Sequence, residues 1–145
     1  MTSGRKDRKI KRATADKLLE GVQQRILEVN SDDRFIVKIT RAVVFGSYVN
    51  NPELDMISDL DIGLETVCLY KPRDPEYQAK AMECKSYDFI TQMYWPKEEV
   101  LRYVRNRSGY ISLHNIEVDG EAIFSKEIKE LEVGQGKDYR HLKNH

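Results

Sequence analysis

The sequence predicts an α+β (α/β) domain in which a small mixed β-sheet packs against helices on one side, preceded by an N-terminal helix. Three observations predict it. A helical repeat spans residues 13–29, where Leu18, Val22, Ile26 and Val29 share one face. Two β-prone runs follow at 35–45 and 60–67, and Ala42-Val43-Val44-Phe45 is apolar on both faces, as a buried central strand requires. Short helix and strand signals then alternate through the second half. A length of 145 residues allows one domain, or one domain with an arm.

The elements follow in order. Residues 1–12 form a basic arm with no apolar run behind it, so it is no secretory signal. Asn30-Ser31-Asp32-Asp33 breaks the first helix with turn formers. Gly46-Ser47 ends the first strand and Asn50-Asn51-Pro52 marks a loop. Pro75 opens a helix over 75–85, because proline suits a first helical turn. Residues 87–94 read as a third strand. Pro96-Lys97-Glu98-Glu99 opens a further helix with Val100, Leu101 and Val104 as its apolar face. Residues 121–125 read as an edge strand after an Asp119-Gly120 turn. The domain is thus expected over 13–125, with a charged, partly mobile tail over 126–145.

Composition narrows the function. The 24 basic residues balance 24 acidic ones, which argues against a protein built to coat nucleic acid. A hydrophobic fraction of 40% suits a globular domain, and no apolar run approaches the ~20 residues of a membrane span, so no membrane partner is expected. The two cysteines, Cys68 and Cys84, make neither a disulfide framework nor a zinc motif, which points to the cytoplasm. The balance hides segregation: residues 1–17 carry seven bases against two acids, whereas 42–70 carry five acids and no base. Ionised carboxylates within apolar sequence are costly unless compensated.

The informative stretch is Val44-Phe45-Gly46-Ser47, then eleven residues, then Asp59-Leu60-Asp61. On a strand Asp59, Asp61, Gly63 and Glu65 share one face while Leu60, Ile62 and Leu64 share the other. Two carboxylates about 7 Å apart along one strand repel, and a hard divalent cation, magnesium or manganese, relieves that repulsion. A glycine after a buried strand lets the backbone turn closely, so that following amides and the Ser47 hydroxyl can face an anion. Glu65 and Asp55 read as solvated acids, and His114, His141 and His145 form no ligand pattern.

The segment VVFGSYVNNPELDMISDLDIGLE resembles the signature of the DNA polymerase beta-like nucleotidyltransferase superfamily, in particular its minimal nucleotidyltransferases. The resemblance spans roughly residues 14–125 and is strongest over 43–65. It implies a nucleotidyltransferase-like core and a third carboxylate on a later strand, which Asp88 in Tyr87-Asp88-Phe89-Ile90 would supply. The lesser alternative is that Asp88 is a structural acid capping the turn that follows it. Residues 118–124 are similar to the family's terminal hairpin-like element. The chain departs from the pattern in lacking the Arg and Gly that many relatives carry after Gly-Ser, and in a spacer about one residue longer.

The resemblance further implies that Asp59, Asp61 and Asp88 are catalytic and hold two magnesium (or manganese) ions, while Gly46 and Ser47 grip the phosphates of a nucleoside triphosphate, ATP. An acceptor hydroxyl would take AMP with release of pyrophosphate, on a protein side chain, a small molecule or an RNA end. One version it suggests is an antitoxin that modifies a HEPN-type toxin. The alternatives are a non-catalytic nucleotide-sensing or partner-binding module on the same scaffold, and an RNA-binding adaptor led by residues 5–12.

Overall fold

Apolar residues at helical spacing and β-branched runs form the elements expected of them through the first half of the chain. The computed structural model describes residues 9–144, so residues 1–8 of the basic arm lie outside the described residues. In chain order the elements are β1 (Ile10–Lys11), α1 (Arg12–Ser31), β2 (Val37–Phe45), α2 (Ser47–Asn50), β3 (Met56–Ile57), β4 (Leu60–Cys68), α3 (Pro75–Ala81), α4 (Phe89–Arg105), β5 (Ile111–Asn115), α5 (Ile116–Ile123), β6 (Lys129–Glu130) and a 3₁₀ helix (Gly134–Asn144). The main sheet has the order β5-β4-β2-β6, and β1 pairs with β3 separately. Among the described residues only β4 and β5 run parallel, and α3 and α4 supply the crossover that a parallel pair needs. This is the mixed sheet of an α+β fold.

Buried apolar side chains define two unequal layers. Val22, Ile26 and Val29 of α1 and Val100 and Val104 of α4 pack with Ile39, Ala42, Val44, Leu60, Ile62 and Leu64 on one face of the sheet. The opposite face was expected to lack a helix, but α5 covers it through Ile116 and Ile123 against Val43. A bulge between Ile39 and Arg41 explains how β2 serves the first layer along its whole length. The inward positions run 37, 39, then 42, 44, a parity change that one extra residue supplies.

Four sequence expectations give way to tertiary or capping effects. Residues 87–94 are not a strand: α4 begins at Phe89, with Asp88 as N-cap accepting from Thr91 N (3.0 Å) and Thr91 Oγ1 (2.7 Å). That cap outweighs the β-propensity of Tyr87, Phe89 and Ile90. Pro96 consequently lies inside α4 instead of opening it. Residues 121–125 are not an edge strand, because α5 starts at Ile116 under an Asn115 cap and ends at Ile123. Ile116, Gly120 and Ile123 follow helical spacing, which places the two isoleucines on the sheet. The segment 126–145, expected as a charged, partly mobile tail, is tied to the sheet over its described residues: Lys129 and Glu130 pair with Val44 and Val43, Leu131 N donates to Ala42 O (2.9 Å), and Val133 is buried. Among the described residues, no helix is long and apolar enough to cross a membrane, and Cys68 and Cys84 are free thiols.

Two buried polar side chains join these layers. The Asn30 amide donates to Ile39 O (2.8 Å) and Val133 O (2.6 Å), and its oxygen accepts from Ile39 N (2.8 Å). It ties the end of α1, the bulged strand and the C-terminal segment at one point. Lys38 Nζ donates to Val29 O (3.0 Å) and Asp32 O (2.9 Å), satisfying carbonyls at the end of α1, and burial lowers its pKa. Asn30→Ala strands a buried N–H and two carbonyls, so it is expected to destabilise the fold by about 3 kcal/mol. Urea unfolding of the variant against wild type measures this, with a loss under 1 kcal/mol contradicting the role.

Candidate functional site

The antiparallel pairing of β2 with β4 ends at Phe45 opposite Asp61, which sets Gly46 beside that carboxylate. Gly46 adopts φ +83, a backbone region that L side chains rarely enter, and a Cβ there would overlap Asp61 Oδ2. Both facts require glycine. The chain then coils at once into α2, whose first amides at Ser47 and Tyr48 have no acceptor behind them in the helix. The loop that follows is held by Arg12, which donates to Tyr48 O (3.0 Å), Asn51 O (2.9 Å) and Leu54 O (2.7 Å). Arg12, expected in the basic arm, is therefore a clamp on the loop behind the Gly-Ser turn.

The predicted acidic face exists, and its members meet different fates. Asp59 lies just before β4 and is half-buried, and Asp61 is half-buried at the strand's start. At Gly63 a Cβ would come within 3.1 Å of Val43 Cγ2 and 3.2 Å of Ile116 Cγ1, so glycine lets α5 close onto the sheet there. Glu65, expected to be solvated, is buried: it accepts from Thr40 Oγ1 (2.8 Å) and pairs with Arg140 Nε (3.3 Å). Covering of the face by α5 and the 3₁₀ helix leaves the aspartates at its open end.

Asp61 Oδ1 lies 3.2 Å from His114 Nε2, which is itself 3.2 Å from Ser112 Oγ. The Phe45 ring meets the His114 ring edge-on, with centroids 5.0 Å apart. Burial raises the Asp61 pKa, the charge of Asp59 adds to the rise, and His114 opposes it. Beside the Gly-Ser turn lies a hollow of about 500 Å³ lined by Gly46, Ser47, Asn50, Asn51, Ile123 and Lys126, with Lys126 as its cation.

Of the expected site residues, Gly46, Ser47, Asp59 and Asp61 come together at one end of the sheet. Asp88 does not join them on a strand: it is exposed at the start of α4, and its hydrogen bonds to Thr91 hold its carboxyl below the usual range. The strand beside β4 is β5, which sets Ser112 opposite Asp61 and His114 opposite Gly63. Sequence reasoning missed Ser112, His114 and Lys126. The alternation Ile111-Ser112-Leu113-His114 was the available signal, but five residues between a turn and a helix give a weak strand pattern. Among the described residues, no group of three His, Cys, Asp or Glu side chains is gathered for a metal ion. Comparisons with family models, curated proteins and solved structures find no match for the chain.

Two outcomes follow from this geometry. Gly46→Ala places a Cβ against Asp61 in an unfavourable backbone region, and a destabilisation of about 2 kcal/mol or more is expected in urea unfolding. A carboxyl with a raised folded-state pKa binds its proton more tightly when folded, so stability falls as pH rises from the unfolded to the folded value and is level above it. Asp61→Asn is therefore expected to melt higher than wild type at neutral pH, with the gap closing as pH falls to about 4. Calorimetry across that range checks it, and a gap that widens toward acid pH contradicts it.

Proposed function

We propose that this protein is a metal-dependent nucleotidyltransferase that moves a nucleoside monophosphate, AMP from ATP, onto a hydroxyl acceptor and releases pyrophosphate. The observation that carries the reading is the contact between the Gly46 turn and the Asp61 carboxylate, an anion-facing turn and an acidic pair at one sheet end. Two carboxylates suit magnesium, which commonly takes one or two carboxylates and fills its remaining positions with water and substrate phosphates. Asp59 and Asp61 would hold it. When bound, the ion would neutralise triphosphate charge and acidify the acceptor hydroxyl.

The chain's own residues contribute positioning. The Ser47 hydroxyl and the Ser47 and Tyr48 amides would bind phosphate oxygens from one side of the hollow, and Lys126 from the other. Arg12 keeps the loop carrying these groups in one arrangement, so less order is lost when the nucleotide binds. His114 holds Asp61 by one oxygen and so orients the other. An acceptor hydroxyl aligned opposite the leaving pyrophosphate would attack the α-phosphorus, its O–H proton passing to solvent and its new O–P bond replacing the bond to the bridging oxygen, which departs with the pyrophosphate. The acceptor is a protein side chain, a small molecule or an RNA end, a HEPN-type toxin being the protein case the resemblance suggests.

A second reading is favoured by the position of Asp88, which leaves the pair without a third carboxylate. On it the chain is a nucleotide-sensing or partner-binding module without transfer. Incubating wild type, Asp61→Asn and the Asp59→Ala/Asp61→Ala double variant with each labelled NTP and magnesium in a cell lysate separates the two. Transfer predicts a labelled species with wild type and a loss of roughly 100-fold or more in the variants. Nucleotide binding by wild type with no labelled species overturns the enzyme and favours the sensor.

A further inference from the structure

A second hollow, of about 540 Å³, lies at the C-terminal end of α4 and shares no lining residue with the one at Gly46 and Ser47. Four guanidinium side chains line it: Arg34 from the loop before β2, Arg102 and Arg105 from the last turn of α4, and Arg107 just beyond. Glu99 is the one acid in the lining, and it is engaged by Lys80 Nζ at 3.2 Å. Helix polarity accounts for bases in the last turn of α4. It does not account for Arg34, which arrives from a distant part of the chain, or for Arg107.

The backbone at Arg107 is unusual. Asn106 caps α4 in the left-handed region at φ 52, a common role for asparagine, but Arg107 follows in the same region at φ 62. The double left-handed step carries the chain back so that Arg107 lines the same hollow as Arg102 and Arg105. Arg34 is kept there by stacking, its guanidinium 4.4 Å from the Phe35 ring centroid and 5.7 Å from that of Tyr103. Arg34 and Arg102 have surface carboxylate partners, Asp32 (3.3 Å) and Glu98 (3.0 Å), which are weak pairs that an anion can displace. Among the described residues, Arg105 and Arg107 make no ion pair. Converging like charges repel, and a multivalent oxyanion relieves that repulsion with bidentate, charge-assisted hydrogen bonds.

We infer that this arginine-lined hollow is a binding site for a compact anion bearing two or more phosphate groups, separate from the proposed nucleotide site. Arg105 and Arg107 carry the binding, and Arg34 and Arg102 close on the ligand from the sides. The convergence of four guanidinium groups on one short hollow favours a short polyphosphate over an extended nucleic-acid strand.

Titration calorimetry with inorganic tripolyphosphate in metal-free buffer at constant ionic strength tests this on the full chain. Both key side chains are exposed, so Arg105→Gln/Arg107→Gln should fold, and equal melting temperatures establish that it does. The expected result is a loss of about tenfold or more in affinity in this variant. Arg105→Lys/Arg107→Lys is expected to recover part of that loss, and Ser47→Ala/Lys126→Gln, which strips the proposed nucleotide site, separates any tripolyphosphate bound there from that bound by the arginines. Unchanged affinity in the glutamine variant, or loss confined to Ser47→Ala/Lys126→Gln, overturns the inference. A single-stranded RNA arm, read in parallel, overturns it if RNA binds through these arginines while tripolyphosphate does not.

Discussion

The nine-residue strands β2 and β4 pair antiparallel from Val37 opposite Cys68 to Phe45 opposite Asp61, and both the core and the candidate site hang on that register. On one face the pairing aligns Ala42, Val44, Ile62 and Leu64 under α1 and α4. At the strand end the same pairing sets Gly46 against Asp61. A slip of one residue would turn the apolar set of β4 to the other face and carry its acids into the core. The bulge at Thr40 is part of this constraint, because it corrects the parity of β2 and turns Thr40 to the buried Glu65 carboxylate.

One face of β4 therefore carries a gradient of environment. Glu65 is enclosed with Thr40 and Arg140, Gly63 admits α5, and Asp61 and Asp59 stand at the open end. Such a gradient keeps a carboxylate partly desolvated without sealing it, which raises its pKa and strengthens its interaction with any cation brought to it. The same desolvation lowers stability, a common relation between folds and sites that hold unneutralised charge. His114 moderates it from the adjacent parallel strand.

Polar side chains do the remaining fastening. Arg12 binds one carbonyl of α2 and two of the loop after it, Asn30 joins α1 to β2 and to the C-terminal segment, and Lys38 closes the end of α1. Each satisfies backbone groups that would otherwise be stranded by the turns of the chain. The loop that would face phosphate is thus ordered before a ligand arrives, and the arginine-lined hollow at the end of α4 is shaped by the left-handed step at Asn106 and Arg107.

Local periodicity determined α1, β2 and β4, because long apolar stripes and β-branched runs are statements about burial that no other arrangement satisfies. It also singled out Gly46, Ser47, Asp59 and Asp61 as a set, since a glycine at a strand end and two acids within apolar sequence each demand a reason, and the fold brings the four to one sheet end. Short elements were decided by tertiary structure. Residues 87–94 carry β-prone side chains, yet the Asp88 cap and the burial of Val100 and Val104 draw the segment into α4. Ile116 and Ile123 become helical because Gly63 offers a surface for them, and Lys129 and Glu130 become a strand because the edge of β2 is open. The neighbours of Asp61 were likewise out of reach of the sequence. Ser112 and His114 arrive there through a parallel crossover, Lys126 reaches the hollow beside Ser47 from beyond a helix end, and contacts between residues more than fifty positions apart leave no local pattern to read.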